Sequence, residues 1–230
     1  MNKRPPKLAT LSPKERSRLT MQLLQEQVVD QRQRLHSWRD ITEQPAQIDT
    51  GYVAQHLVSL VTAIPGAGMR GKGLDLIDGS EIKSANFLDA LDKRGAKAPR
   101  WNFLARNEAD MEAFLGRETL YLVSLDQTTG GRVRARVWRL FPGQHEALAA
   151  RYREWMKKKG KPKLSDPRRP DANFQLFPPR NQTDDDYARH GNGHDFERLQ
   201  ITLEVEPASR KIYQAEEDAQ GQIQVLRFAP

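Results

Sequence analysis

Apolar residues recur at helical spacing in two early stretches of the chain. Across residues 13–39, Leu19, Leu23, Leu24, Val28, Leu35 and Trp38 follow that period loosely, opposite a face rich in Gln and Arg. Ser12-Pro13 followed by Lys14-Glu15 reads as an N-cap with proline in the first turn, so a helix is expected from about 13 to 39. A second helix, about 48–64, carries Val53, Leu57, Leu60, Val61 and Ile64 on one side and stops at Pro65-Gly66. Further on, the pattern predicts a helix over 107–116, strands at 120–123 and 133–140, and an amphipathic helix over 143–159 built on Leu148, Tyr152, Trp155 and Met156. Residues 160–195 are rich in Pro, Asn, Asp, Gly and Arg and are expected as long loops, with strands returning at 199–205, 210–216 and 222–228.

Between the second helix and the first long strand lies Gly73-Leu74-Asp75-Leu76-Ile77-Asp78-Gly79-Ser80-Glu81-Ile82-Lys83-Ser84. Asp-Gly between apolar residues is a strong hairpin signal. A two-residue turn at Asp78-Gly79 would put Asp75 on the opposite face from Glu81 and Lys83. A three-residue loop, Asp78-Gly79-Ser80, pairs Ile77 with Glu81 and Asp75 with Lys83. Asp75, Glu81 and Lys83 then share one face, while Leu74, Leu76 and Ile82 form an apolar surface on the other. Converging carboxylates repel each other unless a divalent cation lies between them, and hard oxygen ligands suit magnesium or manganese. Lys83 could then stabilise developing charge or orient a water. The competing interpretation is a surface hairpin with solvated charges; the apolar back face and basic surroundings favour a site.

Charge changes the picture further. The net charge is +7, yet residues 132–169 alone hold 13 Lys and Arg against 3 Asp and Glu, so the rest of the chain is slightly acidic. Such a run favours a polyanion through counterion release. There is no Cys, which excludes disulfides and zinc–thiolate sites. No apolar stretch approaches membrane-spanning length and the N-terminus lacks a signal-peptide core, so a cytoplasmic protein is expected.

Glu81-Ile82-Lys83-Ser84-Ala85, preceded by Asp75 and a helix, resembles the core of the PD-(D/E)xK nuclease superfamily over residues 48–141. The longer stretch Gly71 to Ala85, with Pro99-Arg100-Trp101-Asn102, is similar to the MamI-type restriction endonucleases. The resemblance implies an α/β (α+β) fold with a mixed central sheet flanked by helices and an N-terminal helical extension. The expected organisation is a basic tail and helix over 1–47 and a nuclease domain over 48–230. It also implies Asp75 and Glu81 as metal ligands, Lys83 as the catalytic lysine, Mg2+ as cofactor with Mn2+ able to substitute, and cleavage of double-stranded DNA; a homodimer is expected because one metal site per subunit would cut both strands of a two-fold symmetric target. Two departures stand: no proline precedes Asp75, and its gap to Glu81 is short, so Asp78 remains an alternative first carboxylate. Gln55, on the helix before the site, is an accessory candidate; His56 is read as structural.

The remaining candidates follow from this reading. Gly66, Gly68 and Gly71-Lys72 mimic nucleotide-binding loops, but they follow a helix and enter a strand, which is the wrong context. Arg70 and Lys72 are instead expected on a loop beside the site, facing DNA phosphate. Arg100, Asn102 and Asn86 are candidates for base or phosphate contact, since Arg and Asn read guanine and adenine edges; stacking of Arg100 with Trp101 is the structural alternative. Ser84, Arg134 and Lys157-Lys158-Lys159 complete the expected DNA-binding set, with Arg132, Arg134 and Arg136 forming the basic face of a strand. The N-terminal helix is expected to pack on the core in preference to pairing with a second subunit or lying along DNA. Asp184-Asp185-Asp186 and His190-Gly191-Asn192-Gly193-His194 are discounted as a second metal site because the latter has turn chemistry. A repair or mobile-element nuclease, and a non-catalytic DNA-binding protein on the same scaffold, are the alternative functions.

Overall fold

The computed structural model describes residues 7–44, 46, 48–68, 74–88, 99–104, 107–157, 173–191, 193 and 196–230. Ser12 opens the first helix with a capping box, its hydroxyl accepting from Glu15 N–H while the Glu15 carboxylate accepts from Ser12 N–H at 2.8 Å. Helix α1 (Pro13–Leu24) continues through a π-helical turn (Gln25–Asp30) into α2 (Gln31–Thr42). The insertion explains the loose periodicity, since one extra residue per turn rotates the apolar stripe. Leu24, Val28 and Val29 reach the core, whereas Trp38 is 63 % exposed. Arg16 ties α1 to helix α3 (Thr50–Thr62) by donating to Leu60 O at 3.0 Å. Packing on the core is thus what the N-terminal helix does. α3 begins at an Asp49 cap and ends at Ala63 in the left-handed region, φ 64°.

The strands β1 (Glu81–Asn86), β3 (Leu120–Gln127), β4 (Val133–Leu140), β8 (Ser209–Glu217) and β9 (Ile223–Phe228) form one five-stranded sheet in the order β1-β3-β4-β8-β9. Its β1–β3 pair is parallel and the other pairs are antiparallel, so the sheet is mixed, as expected. Two antiparallel ribbons accompany it: β2 (Trp101–Leu104) with β5 (Asn173–Leu176), and β6 (Tyr187–His190) with β7 (Leu199–Thr202). The described parts of the expected 160–195 loop region therefore contain two strands. β5 supplies Phe174 and Leu176 to the core, and β6 supplies Ala188.

Alternation along the strands divides the interior into two layers. Tyr121, Val123 and Leu125 join α1 and α3 on one side; Leu120 and Leu122 join α4 (Glu108–Leu115), α5 (Glu146–Trp155) and the β2–β5 ribbon on the other. Fully burying a Leu, Val or Phe side chain contributes about 1.5–3 kcal/mol each. The second layer is aromatic, with Tyr152 stacked on Phe174 at 4.2 Å between ring centroids and Trp101 meeting Trp138 edge-on at 6.0 Å.

β4 departs from the expected basic and apolar faces. Arg134 and Arg136 are each 1 % exposed and converge on Asp126 of β3, itself fully buried. Arg134 also pairs with Asp184, and Arg136 donates to Asp185 O at 3.0 Å. Burial alone would lower the Arg134 pKa, but Asp126 and Asp184 outweigh it and raise the value above normal. Arg134 is accordingly a buried structural cation, and the expectation that it contacts DNA is corrected. The acidic run is absorbed in the same way: Asp186 holds Lys211 at 2.9 Å and accepts from Trp138 Nε1.

Candidate active site

β1 lies at the edge of the sheet. Its Glu81 N–H donates inward to Thr119 O at 3.4 Å, while the next N–H, that of Ile82, points to the free edge and donates to Asp75 Oδ2 at 2.8 Å. Asp75 Oδ1 accepts from Gln55 Nε2 of α3, also at 2.8 Å. The acid is thereby oriented at both oxygens, beside the residue that separates Glu81 from Lys83. On β1, Glu81 and Lys83 share a face, and the Lys83 ammonium pairs with Glu81 Oε1. Arg117, in the turn after α4, takes Glu81 Oε2 at 3.0 Å.

Gln55 is thus joined to Asp75, and Asp75 to the β1 backbone between Glu81 and Lys83, but not through the expected hairpin. Residues 75–77 pair with the linker: Gly66 bridges Leu76, Ala67 N–H donates to Asp75 O at 3.0 Å, and Ile77 N–H donates to Pro65 O at 3.1 Å. β1 pairs instead with β3, Glu81 opposite Leu120. The pairings of Ile77 with Glu81 and of Asp75 with Lys83 are corrected accordingly. Leu76 and Ile82 are buried as expected, whereas Leu74 is 49 % exposed. The reversal is a tight turn in which Leu76 O accepts from Gly79 N–H, with Gly79 at φ +90°. Asp78 serves that turn, its two oxygens accepting from Ser80 N–H at 3.0 Å and Ser80 Oγ at 2.9 Å. That use favours Asp75 over Asp78 as the first carboxylate. Burial, with the Asp78 charge second, pushes the Tyr121 phenol up to about 12, so it remains protonated beside the turn.

Among the described residues no group of three or more acidic or histidine side chains converges on a metal position. Two carboxylates nevertheless fit a magnesium-like ion, which binds through one or two carboxylates and keeps several waters and substrate phosphates. Glu81 and Lys83, with side chains 14 % and 28 % exposed, remain reachable from solvent. Asp75 and Glu81 are the residues that would hold such an ion, with Glu81 exchanging a cationic partner for it.

The other candidates divide by position. Ser84 and Asn86 alternate onto the face opposite Glu81 and Lys83, and Asn86 Oδ1 accepts from Leu88 N–H at 2.8 Å. In β2, Trp101 and Phe103 turn into the core, which leaves Asn102 exposed; Arg100, just before the strand, is half-buried. Trp101 Nε1 donates to Val123 O, tying that ribbon to the sheet. Lys157 is exposed at the end of α5. Arg70, Lys72, Lys158 and Lys159 lie outside the described residues. Part of the basic run is paired within the protein: besides Arg134 and Arg136, the buried Arg151 lies near Glu154 and, at the surface, Arg153 pairs with Glu112. His190 is buried and stacked on Phe174, consistent with a structural role.

Arg117 was not anticipated from sequence. Gly116-Arg117-Glu118 carries no motif, and only the parallel β1–β3 pairing brings it to Glu81.

A mixed central sheet flanked by helices, with an N-terminal helix packed on it, is a restriction-endonuclease-like fold. The chain belongs to the MamI restriction endonuclease family, whose model matches residues 37–215. It is 52 % identical over 68 residues to the type II restriction enzyme MamI of Microbacterium ammoniaphilum, a match covering 30 % of this chain and 20 % of that protein. The matched stretch thus spans about a fifth of that relative's length. No solved structure matches the chain.

Proposed function

We propose that the chain is a metal-dependent type II restriction endonuclease that hydrolyses double-stranded DNA at a short recognition sequence. The observation that carries this reading is Asp75 bonded to the Ile82 N–H, between the paired Glu81 and Lys83 of edge strand β1, in a chain of the MamI family. Asp75 and Glu81 hold the cation, with Mg2+ the favoured ion and Mn2+ able to substitute. A bound divalent ion supplies a Lewis acid for the scissile phosphate and lowers the pKa of a water nucleophile. Lys83 holds a positive charge where negative charge grows on the phosphate, and Gln55 fixes the orientation of Asp75. Arg100, Asn102 and Lys157 are accessible for DNA contact; Arg70, Lys72, Lys158 and Lys159 are proposed to join them.

A homodimer follows from the chemistry, since one site per subunit cuts both strands of a two-fold symmetric target. No helix among the described residues is long and apolar enough to cross a membrane, and we place the enzyme in the cytoplasm with its DNA. Incubating the purified protein with plasmid DNA and Mg2+ tests the reading. Discrete fragments are expected. Nicking confined to mismatched or branched DNA would indicate a repair nuclease, and binding without cutting would indicate a non-catalytic scaffold.

A further inference from the structure

Glu81 and Asp75 are held in different ways. Among the described residues, Asp75 accepts from neutral donors, the Gln55 amide and the Ile82 N–H. Glu81 is clamped between cations, Lys83 at one oxygen and Arg117 at the other. These four side chains sum to zero charge before anything binds, so the carboxylate that must accept a metal ion already has its charge neutralised.

Arg117 is anchored by its backbone, whose N–H donates to Phe114 O at 3.1 Å, and two residues later Thr119 O receives the Glu81 N–H. Its side chain keeps 28 % exposure, yet its Nε is buried without a hydrogen-bond partner among the described residues. A guanidinium offers five donors in a rigid fork that matches a phosphate at two points, and here that capacity is only partly used. A divalent ion at Glu81 would repel Arg117, whereas a DNA phosphate arriving beside Lys83 would attract it.

We propose that Arg117 is a second phosphate ligand of this site. It rests on Glu81 in the free protein, and turns to a phosphate oxygen of the DNA backbone once Glu81 is engaged by a divalent ion. The proposal rests on the endonuclease reading above. It makes metal and DNA binding mutually reinforcing, because each removes the competitor or supplies the partner that the other needs.

The test uses Arg117→Gln and Arg117→Met, which remove the charge while keeping most of the side-chain length. Titrating Mn2+ into each protein without DNA should show binding roughly 3- to 10-fold tighter than wild type, because Glu81 has lost a competing cation. With Ca2+ present, duplex binding should weaken, and the slope of log K against log salt should become shallower by roughly 0.9, one phosphate contact. Wild-type Mn2+ affinity and salt slope in both variants would overturn the proposal. Loss of the folded state in both, seen by thermal melting, would also overturn it by marking the pair with Glu81 as structural. A wild-type protein that neither cuts nor binds duplex would instead remove the endonuclease reading itself. If wild type cuts and the variants match it in both titrations, only the Arg117 assignment fails.

Discussion

Replacing Asp126 by Asn should be among the most destabilising single changes to this protein. The Asp126 carboxylate is fully buried and accepts from Arg134 Nε at 2.6 Å, Arg136 Nη2 at 2.7 Å and Ser124 Oγ at 2.7 Å. An amide of the same shape leaves two guanidinium groups, each 1 % exposed, without their central counter-charge. Removing one partner of a buried ion pair costs roughly 3–5 kcal/mol. Arg134 retains Asp184, and Arg136 retains Asp185 O and its position over Trp138 at 5.2 Å, so the loss should stay within that range despite two orphaned cations. In a chain of 230 residues this corresponds to a midpoint lowered by roughly 6–20 °C. Circular dichroism melts, with urea unfolding as a check, would measure it. Ser124→Ala, which removes one hydrogen bond from the same carboxylate, should cost only about 1 kcal/mol. An Asp126→Asn loss below about 1 kcal/mol, or one no larger than that of Ser124→Ala, would refute the idea that this charge organises the β3–β4 pair.

Three further outcomes are expected. Lys83→Met should keep the fold and lower kcat roughly 100- to 1000-fold, as loss of a positioned charge donor does, and Asp75→Ala should abolish cleavage while Asp78→Ala is milder; an inactive Asp78 variant beside an active Asp75 variant would exchange their roles. Burial, with Arg151 second, holds the His190 imidazole at about 4, below its usual 6.5, so the unfolded chain binds a proton that the folded one does not between those values. Stability should therefore fall by up to a few kcal/mol as pH drops through that window and be unaffected by His190 above it; His190→Gln should flatten the dependence, and an unchanged pH profile of the melting midpoint would count against it. Arg100→Ala or Asn102→Ala, if either reads a base, should cost roughly 1–3 kcal/mol on the preferred duplex and little on random DNA, and equal losses on both would move sequence reading elsewhere.

How far the sequence could be read differs from element to element. Ser12 and Glu15 announce α1 because a capping box is local, and α3 was visible because its apolar stripe is uninterrupted. Asp75, Glu81 and Lys83 are legible as a candidate set because all three lie within nine residues. The route by which they meet was not recoverable. Local signals favoured an adjacent antiparallel strand, whereas β1 pairs with a parallel partner beginning at Leu120, a choice made by burial across the whole sheet. Arg134 misled for a related reason: alternation marks a face as basic but does not reveal the Asp126 waiting on the neighbouring strand. β5 and β6, four residues each, are too short for periodicity to lift them out of a loop-like composition.

The hydrogen bond from Ile82 to Asp75 has a consequence for solubility. An outer strand with unpaired N–H groups is a template on which another chain can add, and proteins commonly block such edges with charge. Asp75 supplies that block at the edge of β1, with a carboxylate seated where a foreign carbonyl would dock. The residue proposed to hold the metal would thus also hinder edge-to-edge stacking of molecules. Truncating it to Ala opens the edge along with the site, so an Asp75→Ala preparation should aggregate more readily than Asp75→Asn, whose amide oxygen still covers the Ile82 N–H. Asparagine is therefore the better replacement when an inactive but well-behaved protein is wanted for crystallisation with DNA.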